Sequence, residues 1–361
     1  MRILLVGDWH SDIHEEAWRL GLEARGHEVH GIAWHTRFEG GPGIARIAGR
    51  VQNRLIAGPA VWGLNAAIVR EARRVAPDAV ILYRPTHVLP VTLRALRLAA
   101  PRAVVATYNN DDPFGERASK LLWRHYLRLV RRADVNMVYR QKNVTDLERL
   151  GARNVAVVRS HYVPERHRPV AVTAEQRARW SADVVFVGHY EADGRCAYLQ
   201  AVAESGVDFR LFGPDWDRAP SEPWLLRFQP IATPRGEDYV RSIAGSRIAL
   251  CLLSGLNNDT YTRRAFEIPA IGSMLLSQRT DDMKALFREG EEADYFSSPS
   301  ELVDKVRFYL ANEPTRARIA EAGRRRVAAA GHDIRSRMGE VERLLSQTRE
   351  GSATIGPDAS A

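Results

Sequence analysis

Short apolar runs rich in β-branched residues alternate along the chain with longer segments in which apolar side chains recur every three or four positions. The runs Ile3–Val6, Val29–Ala33, Ala79–Tyr83, Val104–Tyr108 and Val135–Val138 predict strands, and Ala60–Val75, Val88–Ala99 and Glu116–Arg132 predict amphipathic helices between them. Strands apolar on both faces, separated by helices, predict a parallel sheet covered on both sides. The rhythm stops at Pro164–Pro169, a polar stretch bounded by prolines that reads as a linker. It resumes with strands at Val184–Val187, Phe209–Phe212, Ile248–Leu253 and Met274–Ser277, and helices at Ala192–Glu204, Glu237–Ala244, Thr262–Ile271 and Ser300–Leu310. The region from Thr315 to Gln347 keeps a helical period. The chain therefore divides into a Rossmann-like domain over 1–165, a second over 180–335, a helix over 336–348 and a Gly/Ser/Ala-rich tail over 349–361 that is expected to be disordered. Two doubly wound α/β domains facing a central cleft predict a ligand in that cleft, outside the carboxyl ends of the strands.

A chain of 361 residues suits two domains, and 45% hydrophobic with 27% charged residues excludes disorder. No apolar run approaches the ~18 residues a membrane span needs, and the opening Ile3–Val6 run is too short for a signal peptide. A cytoplasmic protein is expected. Cys196 and Cys251 are too few for a disulfide framework, and each lies in an apolar stretch that suits a buried thiol. The net charge of +8 is unevenly placed: residues 1–163 carry 25 Lys+Arg against 15 Asp+Glu, and the remainder 27 against 29. With only four lysines, the arginine excess also fits a GC-rich coding sequence.

Two segments carry chemistry. In Val184–Val187 followed by Gly188, His189, Tyr190 and a helix with Arg195 in its first turn, a glycine lets the backbone approach phosphate and the helix N-terminus favours an anion. A plain turn glycine would look the same. In Asn258-Asp259 through Arg263, Arg264 and Glu267, the last two share a helix face while Phe266 and Ala270 point to the core. A carboxylate can accept from two vicinal hydroxyls of a ribose, and arginine can pair with a diphosphate. An ordinary i,i+3 surface ion pair is the alternative.

Asn258-Asp259, Arg264-Ala265-Phe266-Glu267, Ala270-Ile271-Gly272, Leu286-Phe287-Arg288-Glu289-Gly290-Glu291 with Tyr295, and Arg318-Ile319-Ala320-Glu321-Ala322-Gly323 occur in an order that resembles the C-terminal half of CgeB-like glycosyltransferases. The likeness spans about Val184 to Arg335 and implies the GT-B fold. It implies Glu267 on the nucleotide ribose, Asp259 eight positions earlier in place of the commoner glutamate, Arg264 and Arg195 on the diphosphate, and final helices that cross back onto the first domain. Gly188, His189, Tyr190 and Arg263 complete the donor-site candidates. The donor would be a UDP-, GDP- or dTDP-sugar, with no cofactor and no bound metal.

The first domain shows no acceptor motif. Asp111 and Asp112, after the strand Val104–Tyr108, are candidate general bases, although Asp112 before Pro113 also suits a helix N-cap. Asp8 and His10, directly after the first strand, are rivals. No zinc spacing exists (His10 and His14 lack a third ligand), nor a phosphate-binding Gly-x-x-x-x-Gly-Lys loop, nor a Gly-x-Ser-x-Gly elbow.

The expected function is transfer of a sugar from a nucleotide donor to a hydroxyl of a glycan, lipid-linked or small-molecule acceptor. A nucleotide-sugar epimerase on the same fold is one alternative, and a non-catalytic protein binding nucleic acid or a membrane surface is another. Nucleic acid is not expected as a partner. Arg46, Arg50 and Arg54 beside Ile47, Val51 and Leu55, and Arg124, Arg128, Arg131 and Arg132 beside Trp123, Leu127 and Val130, are two basic amphipathic stretches that suit an anionic membrane.

Overall fold

The apolar runs form the interiors of two parallel sheets. In the computed structural model, which describes residues 1–39 and 43–354, the first sheet is built from β1 (Arg2–Gly7), β2 (Glu28–Ala33), β3 (Ala79–Tyr83), β4 (Val104–Asn109), β5 (Val135–Val138) and β6 (Val155–Val157), in the order β2-β1-β3-β4-β5-β6. The second holds β7 (Val184–Val187), β8 (Phe209–Phe212), β9 (Ile248–Cys251), β10 (Met274–Gln278) and β11 (Asp294–Phe296), in the order β11-β10-β9-β7-β8. Every strand of β3, β4, β7 and β9 is buried from end to end, because helices cover both faces.

Two strands escape the sequence reading. β6 is three half-exposed residues at a sheet edge, and β11 begins with a carboxylate, Asp294, which is buried because Lys305 and Tyr309 bind it at 2.8 and 2.7 Å. The predicted helix over Glu116–Arg132 is two short ones, Lys120–Trp123 and Tyr126–Leu129.

The chain divides into two units. Met1–Arg159 and the segment from Ile334 onward form the first, and Ser160–Asp333 forms the second. The Pro164–Pro169 stretch is therefore not a linker but part of the second unit. The His167 N–H donates to the Val163 carbonyl at 2.7 Å and its ring Nδ1 accepts from the Val163 N–H at 3.0 Å, so a polar segment is folded in by its own hydrogen bonds. The last helix spans Ile334–Thr354 and packs on the helix Glu15–Glu23. Residues 349–354 are thus helical rather than tail, with Arg349 paired to Asp78 at 3.0 Å; residues 355–361 of the expected tail lie outside the described residues.

In each sheet the second strand in sequence lies on one side of the first, and the third on the other. That reversal opens a crevice at the carboxyl ends of β1 and β3 in the first unit, and of β7 and β9 in the second.

Candidate active site

In the second unit the two segments singled out by their chemistry are the loops that leave β7 and β9. Gly188 ends β7. Its N–H donates to the Phe212 carbonyl and its carbonyl accepts from the Trp216 indole, both at 2.9 Å. Gly213, with φ +134°, passes so near that a side chain there would run into the Gly188 carbonyl oxygen. A side chain on Gly188 would in turn meet the Phe186 ring and the Arg264 guanidinium, whose Nη1 lies 3.2 Å from that Cβ position. Arg264, the first residue of the helix Arg264–Ile271, therefore lies across the Gly188 turn.

Its guanidinium sits over Phe186 at 5.8 Å, donates from Nη2 to the Leu252 carbonyl at 3.3 Å and lies against the Cys251 thiol. Among the described residues Arg264 forms no ion pair, and its buried Nε has no hydrogen-bond partner. Guanidinium is normally satisfied by several acceptors when it leaves water. The Arg264 guanidinium thus lies beside a glycine turn with donor capacity to spare.

Arg195 differs. It is 3% exposed, and its fork grips Asp193 through Nε and Nη2 at 2.8 and 2.7 Å while Nη1 donates to the His189 carbonyl at 2.6 Å. Its donors hold the loop 188–194 in shape. Glu191 accepts from the Ser254 hydroxyl and pairs with His189 Nε2 at 2.5 Å, and Asp193 accepts from the Gly255 N–H at 3.2 Å. These contacts tie the β7 loop to the β9 loop. The Tyr190 ring lies 5.5 Å from that of Trp216, and the His189 side chain is 47% exposed. Asp259 is half-buried in the β9 loop, its N–H on the Ser254 carbonyl at 2.9 Å, and so precedes the helix that carries Glu267.

Glu267 lies deeper than its helical spacing predicts. The helix Arg264–Ile271 is buried nearly all round, and Glu267 is 4% exposed, no more than Ala270. Its Oε2 accepts from the Tyr239 hydroxyl at 2.5 Å, its Oε1 from Arg263 Nε at 2.9 Å, and His167 Nε2 is 3.6 Å away. Burial raises its carboxyl, but His167, Arg263 and the Tyr239 hydrogen bond together hold it below the usual carboxylate range. His167 and Tyr239 are absent from the sequence-based site. His167 lay in the supposed linker, and Tyr239 stands in a helix, Glu237–Ala244, whose pattern announces only its core residues Val240 and Ile243.

The first unit's crevice holds Asp8 and His10 after β1. His10 Nδ1 lies 2.8 Å from Asp8 Oδ2, and the ring is 56% exposed. Trp9 between them has φ +62°, and Arg84, which follows β3, has φ +44°; such left-handed non-glycine residues persist only where their surroundings over-determine them. Asp111 is bound by Arg84 Nε at 2.5 Å. Asp112 is 3% exposed and accepts from the Phe114 N–H and the Asn143 amide, both at 2.9 Å, closing the turn after β4. Among the described residues no group of His, Cys, Asp and Glu could hold a metal ion.

Residues 195–343 match a family model described as glycosyl transferase-like. No curated protein matches the chain. Among solved structures, sucrose-phosphate synthase from Thermosynechococcus elongatus is similar at a TM-score of 0.67 and 13% identity, over 96% of this chain and 99% of the other. The Anabaena protein HepE, crystallised with UDP-glucose, is similar at 0.65 and 13%, over 98% and 100%. A candidate UDP-N-acetylglucosamine 2-epimerase from Listeria monocytogenes gives 0.56 and 11%, over 97% of each chain. The two parallel α/β units thus have the fold of GT-B glycosyltransferases, with a glycosyl transferase-like match that begins at Arg195.

Proposed function

We propose that the protein is a glycosyltransferase that takes the sugar of a nucleoside-diphosphate donor bound in the second unit and places it on an acceptor hydroxyl. The observation that carries this reading is Arg264, an under-satisfied cation lying over the Gly188 turn at the switch point of the sheet. An incoming diphosphate supplies the missing acceptors, and the same charge stabilises the diphosphate as it departs. Arg263 stands beside it and Glu267 behind it. On this reading Glu267 receives the ribose, Gly188, His189, Tyr190 and Asp259 border the donor, and Arg195 is a positioning residue. The similarity to a protein crystallised with UDP-glucose favours a uridine donor.

In the transfer, the bond between the anomeric carbon and the diphosphate oxygen breaks, a bond to the acceptor oxygen forms, and the acceptor proton must go to a base. His10 is our choice. Asp8 can hold its imidazole as a carboxylate orients a catalytic histidine, whereas Asp112 is committed to its turn and Asp111 to Arg84. With arginine in the leaving-group role, transfer persists in excess EDTA. The two unpaired thiols, Cys196 and Cys251, suit a reducing cytoplasm.

The test is incubation of the protein with UDP-, GDP- and dTDP-sugars, with and without a panel of hydroxyl acceptors. Release of the nucleoside diphosphate that depends on acceptor and is lost in His10→Ala supports the reading. Conversion of the donor sugar with no acceptor present would favour the epimerase, whose fold is similar.

A further inference from the structure

The helix Ile44–Leu55 in the first unit is unusual for a globular protein: of its twelve residues only Gly49 is buried. It touches the unit along one narrow side. Gly49 lies against the Phe38 carbonyl, the Gln52 amide oxygen accepts from the Ala60 N–H at 2.8 Å, and Asn53 meets His87 at 2.9 Å. The far side is apolar. Ile44, Ile47, Val51 and Leu55 are 84, 62, 49 and 49% exposed, and at 3.6 residues per turn they fall within about 80° of one another, turned away from Gly49 and Gln52.

A helix this short is marginal in water on its own, and this one is fastened rather than buried: Arg124 Nη2 reaches its last carbonyls, Leu55 at 2.6 Å and Ile56 at 2.8 Å. Exposed Leu121 is near that end of the helix, since the helix Lys120–Trp123 packs there. Arg46, Arg50 and Arg54 run beside the apolar stripe, and from Glu39 to Glu71 there is no acidic residue between.

We propose that this helix is an in-plane anchor that lays its apolar stripe into the surface of an anionic lipid bilayer, with Arg46, Arg50 and Arg54 on the headgroups. Apolar residues exposed in a row, bordered by cations and free of anions, match a bilayer interface in both chemistries at once. A nucleic-acid backbone would use the arginines and leave the stripe in water. The second basic stretch does not qualify, because Trp123 and Val130 are buried in the unit's own core and Leu127 packs half-buried against them. Among the described residues no helix is long and apolar enough to cross a membrane; the attachment proposed here lies in the plane of the surface. The inference is independent of the glycosyltransferase reading.

The test is co-sedimentation of the full chain with vesicles of phosphatidylcholine alone and of phosphatidylcholine mixed with phosphatidylglycerol, at low and physiological salt. The protein should pellet with the anionic vesicles only. Ile47→Glu/Val51→Glu should lower the bound fraction at least about tenfold, and Arg46→Gln/Arg50→Gln/Arg54→Gln should weaken binding and flatten its salt dependence. All five side chains are exposed, so both variants should keep the wild-type melting temperature, which separates lost binding from lost fold. Recovery of the wild type in the supernatant under every condition would overturn the proposal, as would unchanged pelleting of Ile47→Glu/Val51→Glu. A dimer in solution that the same double variant dissociates would also overturn it, in favour of a second copy of this chain on the stripe.

Discussion

Glu267 shows how far a residue's type and spacing carry. Its place three residues after Arg264 is plain in the sequence, but its depth is not, because the burial comes from Tyr239 and His167, which are distant along the chain. The depth changes what a substitution does. Glu267→Ala leaves the Tyr239 hydroxyl and His167 facing a void, and the loss of a buried acceptor costs about 1–3 kcal/mol. Glu267→Gln keeps an acceptor for Tyr239 and leaves no void, but it turns the oxygen that accepts from Arg263 Nε into an N–H donor and removes the charge. Urea unfolding should therefore separate the two, with both variants destabilised and the alanine variant the more so.

Glu191 makes a matching prediction about pH. Burial raises its carboxyl, but the hydrogen bonds from His189 and Ser254, with the Arg195 charge, more than reverse this and hold it at about 2. The unfolded chain takes up that proton near pH 4.5. The stabilisation is therefore complete above pH 4.5 and is lost as pH falls toward 2, up to about 3 kcal/mol. Unfolding midpoints measured across that window should fall steeply in the wild type and less steeply in Glu191→Gln; equal slopes would show that the loop does not depend on this carboxylate.

At the scale of elements, the central strands and the edge strands β2 and β8 were legible, and the edge strands β6 and β11 were not. β3, β5, β7 and β8 have the bounds their sequences predict; β3 and β7, covered on both faces, are uninterrupted hydrophobic residues, while β5 and β8 each carry one polar residue, Asn136 and Arg210. β6 and β11 lack that signal, one being short and half-exposed, the other opening on a paired carboxylate. The supposed linker failed for a related reason: polarity marks a loop only when its polar groups meet water, and His167 meets Val163 and Glu267 instead. Of the candidate donor site, Gly188 was readable as a glycine turn and Arg264 and Glu267 as neighbours on one helix. That Arg195 is spent on Asp193, and Asp112 on its own turn, depends on contacts that residue type and spacing do not fix.

The joint between β7 and β8 can be tested directly. Gly213 has φ +134° against the Gly188 carbonyl, so Gly213→Ala strains the backbone and pushes the two turns apart. A loss of about 2 kcal/mol, or several degrees in melting temperature, is expected. Donor affinity should fall with it, because the displaced turn is the one Arg264 crosses. Gly206→Ala, also at positive φ but with open space around it, controls for backbone strain alone and should leave affinity unchanged.

For the whole molecule, the two units repeat one plan: a parallel sheet with a switch point between its first and third strands, and ionisable residues in the loops that leave those strands. On the proposed function the plan accounts for where the candidate residues sit in each unit, while their kinds differ. The second unit offers an unpaired arginine and a buried carboxylate, the first an exposed histidine held by an aspartate. The positive balance of the first unit's sequence has a place as well, since three of its arginines border the exposed stripe on Ile44–Leu55. Calorimetric titration of UDP, GDP, dTDP and CMP into the wild type and Arg264→Ala tests the donor site most directly. We expect a nucleoside diphosphate to bind the wild type and to lose roughly tenfold or more in affinity in the variant, as suits a charge-assisted contact to phosphate. No binding by any nucleotide, or an affinity that Arg264→Ala leaves unchanged, would contradict it.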